Sequence, residues 1–103
     1  AECQYMLDRL AENKIGALIE AGLPEGTPIS HKHGWSEEQD GLIHTISDVA
    51  VISGPEEKYV FTIYLHTSNQ LFFDEANFLT AKLSRCVFNG LNPGHQLAWE
   101  FDE

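Results

Sequence analysis

The spacing of hydrophobic residues changes along the chain, and each spacing predicts a different element. Near the N-terminus apolar residues recur at i, i+3, i+4 and i+7, which is the spacing of one helical face. These residues are Cys3, Met6, Leu7 and Leu10. We therefore predict a helix from about Ala1 to Asn13. A short helical turn over Ile15 to Ala21 follows and ends at Gly22, because the prolines of LPEGTP cannot continue a helix.

Three segments in the middle of the chain have the composition of β-strands. They are Ile29 to His33, Leu42 to Ile52 and Lys58 to His66, rich in β-branched and aromatic residues. An acidic connection from Gly34 to Gly41 joins the first two, and a Gly-Pro turn from Ser53 to Glu57 joins the last two. Consecutive strands with short links predict an antiparallel meander.

Two of these strands carry apolar residues on both faces. Val49 to Ile52 is continuously apolar, which predicts cover on both sides. In the last strand, 58–66, both alternating sets of side chains are largely apolar. This strand is therefore expected to lie inside a sheet, with a further neighbour beside it.

The helical spacing returns after Leu71. The predicted buried stripe consists of Phe72, Ala76, Leu79, Leu83, Cys86 and Val87. We predict a helix over Phe72 to Phe88, stopped by Asn89 and Gly90 in a left-handed turn. In the tail, 92–103, apolar residues alternate, which predicts either a strand or a hydrophobic flap.

The order helix, three-stranded meander, long C-terminal helix predicts an α+β fold in which the last helix packs on the sheet. At 103 residues, with 43% hydrophobic residues, the chain has the size and composition of one globular domain. The net charge of −10 disfavours binding to nucleic acid or to anionic membranes. No apolar run approaches the roughly 20 residues that span a bilayer, so membrane insertion is not predicted. Cys3 and Cys86 are interpreted as buried free thiols, with a disulfide as the alternative.

The candidate chemistry is concentrated in ISHKHGWSEEQDG, residues 29–41. His31 and His33 share a strand face and, with His44 or Asp48, suggest a zinc site. No cysteine or third histidine has the spacing of a zinc motif, so we predict neither a metal nor another cofactor. Lys32 by itself is most simply a solvated lysine at the end of a strand.

These features together resemble the C-terminal half of the class A β-lactamase and penicillin-binding protein fold. Lys32, His33 and Gly34 resemble that family's K-T-G or K-S-G motif on a strand. The following SDVAVI is similar to its N-D-I-A strand, and YVFTIYLH and the segment 72–88 resemble its final strand and last helix. The resemblance implies that the chain is a single partial domain, 1–103, of a β-lactamase-like α/β sandwich.

The resemblance also implies roles for individual residues. Lys32 is expected to orient the substrate's carboxylate from the cleft, and Gly34 to allow close approach of the ligand. The backbone N–H of Trp35 is expected to be one oxyanion donor, while its ring is either a stacking platform or a partly buried turn aromatic. His33 replaces the usual hydroxyl residue, so its imidazole is expected to contact the substrate.

The family's other motifs have no counterpart in this sequence. No serine is followed three residues later by lysine, and the S-D-N loop and the glutamate that positions water are absent. Ser47 and Asp48 imitate S-D but come after the lysine motif and precede valine. We therefore expect this chain to be inactive by itself, as part of a serine hydrolase acting on a β-lactam or cell-wall peptide.

One alternative is a non-catalytic β-lactamase-like module that binds a ligand or serves as a scaffold. In either case strand 58–66 is expected to support self-association or to pair with an N-terminal segment. The resemblance implies that the protein acts outside the cytoplasm, where cell-wall substrates are found.

Overall fold

The described part of the chain forms two helices and one antiparallel sheet, an α+β architecture. The structure, a computed structural model, describes residues 1–12 and 16–98. Its elements are helix α1 (Glu2–Ala11), a 3₁₀ turn (Glu20–Gly22), strands β1 (Ile29–Glu37), β2 (Ile43–Ser53) and β3 (Lys58–His66), helix α2 (Phe73–Leu91) and a second 3₁₀ turn (Pro93–His95). The predicted order of elements is confirmed.

The strands pair in the order β1-β2-β3, each antiparallel to the next. Pairing of β1 with β2 runs from Ile29 opposite Ile52 to Ser36 opposite Thr45, and an irregularity follows between Ser36 and Glu37. β1 is thus longer than predicted and continues into the segment expected to be an acidic connection. An edge strand tolerates polar residues because one of its sides is open to water.

Alternation divides the sheet into two surfaces. The helix face carries the odd-numbered residues of β1 and β3 and the even-numbered residues of β2, and α2 packs against it. The open face carries the other set, including Lys32, Val49, Val60 and Tyr64. The prediction that both faces of Val49 to Ile52 are covered was wrong for the described residues, because Val49 is 41% exposed.

The core lies between the helix face and α2 in two adjoining clusters. One contains Ile19, Leu23, Ile29, Ala50, Ile52 and Phe88. The other contains Leu18, Ile46 and Ala76. Burial of these apolar side chains is the main force that holds α2 against the sheet.

Helix α2 ends later than predicted. Asn89 and Gly90 lie within the helix, which continues to Leu91. The Asn89 side chain exchanges two hydrogen bonds with the backbone of Leu97, and the buried Asn92 side chain donates to the carbonyl of Phe88. These bonds hold the chain after the helix, so a glycine stop is not needed at Gly90. Trp99 and Phe101 of the tail prediction lie outside the described residues.

The predicted buried stripe of α2 was also largely wrong. Phe72, Leu79, Leu83 and Cys86 are exposed. The buried face consists of Ala76, Thr80, Ala81, Ser84, Phe88 and Asn89. Small and polar residues face inward because α2 packs closely against the irregular segment before β1, whose backbone groups need partners. The Ser84 hydroxyl donates to the carbonyl of Ile19 at 2.7 Å, and the Asn77 side chain accepts from the N–H of Leu18 at 2.6 Å.

The N-terminal predictions are partly confirmed. Helix α1 forms, but of its predicted stripe only Leu7 is partly buried, and Cys3 is exposed. Both cysteines are free and exposed, so their predicted burial was wrong. The described part of the second predicted helical segment is a single 3₁₀ turn, Glu20–Gly22, preceded by Leu18 with a left-handed φ of 58°. Asn13 and Ile15 lie outside the described residues.

Two glycine substitutions test the close packing of α2. A Cβ at Gly22 would collide with the carbonyl of Ala81 and lie 2.9 Å from the Cβ of Ser84, whereas a Cβ at Gly90 meets nothing within 4 Å. We expect Gly22→Ala to lower the free energy of unfolding by about 1–3 kcal/mol. Gly90→Ala should raise it by about 0.5–1 kcal/mol, because alanine favours the helix. Urea unfolding measures both, and equal midpoints would contradict the packing described.

Candidate functional site

Lys32 lies in the middle of β1, and its side chain is exposed on the open face of the sheet. Val49 lies opposite it on β2. On β3, Val60 and Tyr64 are 69% and 68% exposed on the same face. Helix α1 covers only one end of this surface, where the Ser30 hydroxyl donates to the carbonyl of Leu7 at 2.7 Å. The lysine therefore borders an uncovered surface on which Val49, Val60 and Tyr64 are exposed.

His33 and Trp35 point to the opposite side of β1 from Lys32. Their rings are stacked, with centroids 5.5 Å apart and planes inclined by 22°. Both line a cavity of about 530 Å³ together with Ala17, Ile43, Ile46, Leu71 and Phe73. Because side chains alternate along a strand, the predicted site residues divide into two groups. Lys32 and Gly34 belong to the open face, and His33 and Trp35 belong to the helix face.

Gly34 is not required by the packing of the described residues. A Cβ at this position would meet only the hydroxyl of Ser47, at 3.6 Å, which is an ordinary van der Waals distance. Its backbone φ is not in the left-handed region, where glycine is favoured. The glycine thus leaves space beside β1 that the fold itself does not need.

The backbone N–H of Trp35 points to the free edge of the sheet. The N–H of Ser53 donates to the carbonyl of Pro28, and the N–H of Thr67 donates to the carbonyl of His44. In antiparallel pairs the directions of backbone groups alternate, so β1 residues of even number bond to β2. The amide of Trp35 therefore faces away from β2, at an edge with no pairing strand among the described residues.

A group of three polar side chains, centred on the buried His31, lies next to Lys32 and was not predicted from the sequence. The side chain of His31 is fully buried. Its Nδ1 lies 3.2 Å from both carboxylate oxygens of Asp48, and its Nε2 lies 3.2 Å from Oε1 of Glu20. The strand alternation signals that His31 faces the core, but the sequence carries no signal that Glu20 reaches it.

The charge state of His31 follows from these contacts. Burial by itself lowers its pKa, but the hydrogen bond and charge of Asp48 and then of Glu20 outweigh burial and raise the pKa above 6.5. A neutral imidazole carries only one N–H, whereas an imidazolium donates from both nitrogens. Protonated His31 therefore matches the two carboxylates that flank it.

Asp48 connects three parts of the fold. It lies on β2, contacts His31 of β1, and accepts the backbone N–H of Ile19 on Oδ2 at 3.1 Å. The carbonyl of Ile19 in turn accepts from Ser84 of α2. One carboxylate therefore aligns the strand that carries Lys32 with the segment beneath α2.

A second histidine holds the turn that follows β1. Nε2 of His44 lies 2.7 Å from Oδ2 of Asp40, and its Nδ1 lies 2.7 Å from the carbonyl of Asn69. The hydrogen bond to Asp40 raises the pKa of His44. The hydrogen bond from the backbone N–H of Leu42 is the main cause that holds the pKa of Asp40 below its usual value, and the hydrogen bond with His44 is the next. These contacts attach the β1–β2 turn to the loop that leads into α2.

The three histidines and one aspartate considered for zinc, all of them described residues, are not arranged as a metal site. Among residues 1–12 and 16–98, no group of three or more His, Cys, Asp or Glu side chains is placed to hold a metal ion. No helix within those ranges is long and apolar enough to cross a membrane.

Comparison with known proteins gives one family. A model of the β-lactamase enzyme family matches residues 1–91. No curated protein matches the chain significantly.

Several solved structures share the fold. The TLA-3 extended-spectrum β-lactamase is 21% identical, with a TM-score of 0.70 over 85% of this chain and 33% of that one. A β-lactamase from Chitinophaga pinensis DSM 2588 is 18% identical, with a TM-score of 0.70 over 84% of this chain and 33% of its own. An ancestral class A β-lactamase is 31% identical, with a TM-score of 0.67 over 84% and 32%. The chain thus spans about one third of the length of the structures it matches.

The raised pKa of His31 predicts a specific pH dependence of stability. Because the folded pKa lies above the unfolded value of 6.5, protonated His31 stabilises the fold. This contribution is complete below pH 6.5 and is lost as the pH rises through the folded pKa. Urea unfolding from about pH 5 to about pH 9 should show a smaller loss of stability in His31→Gln than in the unmodified chain, and the loss that remains should come from His44, whose pKa is also raised. A pH profile unchanged by His31→Gln would contradict the assignment.

Proposed function

The chain belongs to the β-lactamase enzyme family, and we propose that it is the C-terminal part of a serine hydrolase that cleaves β-lactams or cell-wall peptides through an acyl-enzyme. The family and the β-lactamase-like fold support a hydrolase-like function. The nucleophile would belong to the part of such a protein that this chain does not contain. The chain by itself is inactive in this proposal.

Three uncovered surfaces support the view that further polypeptide packs against this chain. The outer edge of β3 has no pairing strand among the described residues. The open face exposes Val60 and Tyr64, and α2 exposes Leu79 and Leu83 by 47% and 41%. Contiguous apolar surface and an unpaired strand edge are unfavourable in water and are typical of interfaces. Relatives about three times as long offer the polypeptide that would cover them.

Lys32 would supply the positive charge of the site. It carries its ammonium group on the open face, where the missing segment and its nucleophile would pack. A lysine at the rim of a closed site attracts the substrate's carboxylate and stabilises negative charge that develops during acyl transfer. The chain's net charge of −10 makes such a local cation more important, because the surrounding field repels anionic substrates.

The observation that carries the proposal is the direction of the Trp35 amide. An oxyanion donor must be a backbone N–H that is not used within the sheet, and the alternation of β1 leaves the Trp35 N–H at the free edge. Gly34, directly before it, leaves room for the ligand to approach. A substrate lying along this edge would receive the N–H on its carbonyl oxygen.

His33 would take the place of the family's hydroxyl residue as a substrate contact. Its imidazole lies on the helix face, one residue from Lys32 and stacked on Trp35. A ring nitrogen there can donate to a substrate oxygen at the edge, as a hydroxyl would. The contact would thus reach the substrate from the side opposite to Lys32.

Acylation of the full-length protein by a fluorescent penicillin tests the function. Lys32→Ala should lower the acylation rate about 10²–10³-fold, because a charge that stabilises the transition state is lost. Lys58→Ala, which removes a lysine from the far end of the open face, is the matched control and should retain the rate. Absence of labelling in a correctly folded parent would favour the non-catalytic binding module instead.

Substitution by proline tests the Trp35 amide directly. Proline lacks the N–H but is tolerated on an edge strand where that N–H does not pair. Trp35→Pro should lower the acylation rate about 10²–10³-fold, and Trp35→Ala, which keeps the amide, should lower it far less. Equal rates for the two variants, with equal urea midpoints, would show that the amide is not a donor.

The edge of β3 should support pairing with the missing segment or with a second copy of this chain. By the same alternation, the N–H of Thr62 faces the free edge and that of Ile63 faces β2. Thr62→Pro should therefore reduce self-association in sedimentation at high concentration and leave the fold intact. Ile63→Pro should unfold the chain, because it removes a bond within the sheet. A chain that stays monomeric at every concentration would refute this pairing.

A further inference from the structure

The cavity beside β1 has the dimensions and lining of a small-molecule site. Its volume of about 530 Å³ lies within the range of about 300–1,000 Å³ that ligand pockets occupy. We propose that it binds a neutral planar aromatic ring. In the proposed hydrolase this ring would be a substituent of the substrate. That assignment rests on the proposed function. Binding of the ring itself would be a property of this chain.

The walls of the cavity favour an aromatic occupant. The rings of His33 and Trp35 stack on each other and both line the cavity, and Trp35 is 58% exposed. Ile43, Ile46 and Leu71 supply aliphatic surface, and Phe73 is 46% exposed at the start of α2. Aromatic rings pack against such flat or edge-on aromatic partners with an advantage beyond simple burial.

Charge excludes most other occupants. No charged side chain is among the described residues that line the cavity. The nearest lysine along the strand, Lys32, points to the opposite face of β1. The net charge of −10 further repels anions. An ionised ligand group would lose its hydration in the cavity without gaining a partner there, whereas a neutral ring would not.

Among the described residues that line the cavity, His33 and Trp35 carry polar side-chain atoms, and His33 adds a preference for a hydrogen-bonding substituent. Its Nδ1 is buried and has no hydrogen-bond partner among the described residues. A buried polar atom without a partner is unfavourable by about 1–3 kcal/mol. The terminal torsion of histidine is broad, so a rotation of the ring can offer this nitrogen to a ligand hydroxyl or amide.

The position of the cavity links it to the proposed acyl site. Trp35 contributes its side chain to the cavity and its N–H to the adjacent free edge. If the carbonyl oxygen of a substrate accepts this N–H, a substituent next to that carbonyl would lie within reach of the cavity. Trp35 and Phe73 would then determine which substituents are accepted.

Titration of the 103-residue chain with 2-naphthol, a neutral bicyclic ring with one hydroxyl, tests the inference. We expect shifts of the backbone N–H signals of His33, Trp35 and Phe73 in ¹H–¹⁵N NMR spectra, with a Kd of about 10⁻⁴–10⁻³ M. The anion 2-naphthoate should bind at least about tenfold more weakly, because it must be desolvated beside apolar walls.

Two phenylalanines on α2 provide a matched pair of variants. Phe73→Ala removes one wall of the cavity and should weaken binding of 2-naphthol about fivefold or more. Phe78→Ala removes a phenylalanine of similar exposure, 36% against 46%, that does not line the cavity, and should leave the affinity unchanged. Equal urea midpoints establish that both variants are folded.

The outcomes separate this inference from the proposed function. Absence of any localised shift at millimolar 2-naphthol, or equal effects of Phe73→Ala and Phe78→Ala, would overturn the aromatic site. Preferred binding of 2-naphthoate would overturn it as well. Penicillin labelling of the full-length protein together with such a negative titration would support the hydrolase proposal and contradict only the aromatic site. Binding of 2-naphthol without penicillin labelling would support the aromatic site and contradict the hydrolase proposal.

Discussion

The contact between His31 and Asp48 is the interaction on which the rest of the structure depends. It joins β1 to β2 inside the core, while the same carboxylate accepts the backbone N–H of Ile19 from the irregular segment under α2. Loss of one member of a buried charged pair leaves the other without compensation, which is typically unfavourable by about 3–5 kcal/mol. The next residue on β1 is Lys32, so the contact that stabilises the core also fixes the strand that presents the candidate site.

The alternation of β1 gives different roles to four residues between His31 and Trp35. His31 faces the core, Lys32 the open face and His33 the cavity, and the backbone of Trp35 faces the free edge. This division is possible because β1 is an edge strand, with only one side used by the sheet. A central strand would have no free amide to offer to a ligand. The proposed chemistry and the proposed aromatic site therefore both derive from the position of β1 at the edge.

The same small sheet leaves surfaces that are suited to packing against further polypeptide. Among residues 1–12 and 16–98, three strands and two helices are present, α2 covers the helix face, and most of the open face is left uncovered. Exposed Val60 and Tyr64, the unpaired edge of β3 and the apolar outer side of α2 are suited to contact with further polypeptide. The family match over residues 1–91 and the coverage of about one third of the related structures agree with this view.

The sequence by itself determined the order of the elements, the meander, the bounds of β3 and the family, because strand composition, turn residues and the K-H-G motif are local signals. Only the tertiary structure decided which side of α2 is buried. Leu79 and Leu83 follow the helical period as a core stripe would, yet the buried side carries Ala81 and Ser84, because the segment before β1 approaches closely and needs hydrogen-bond partners. Likewise, no local pattern in the sequence predicts that Glu20 lies beside His31. Such contacts depend on distances between elements, which the period of a single element does not encode.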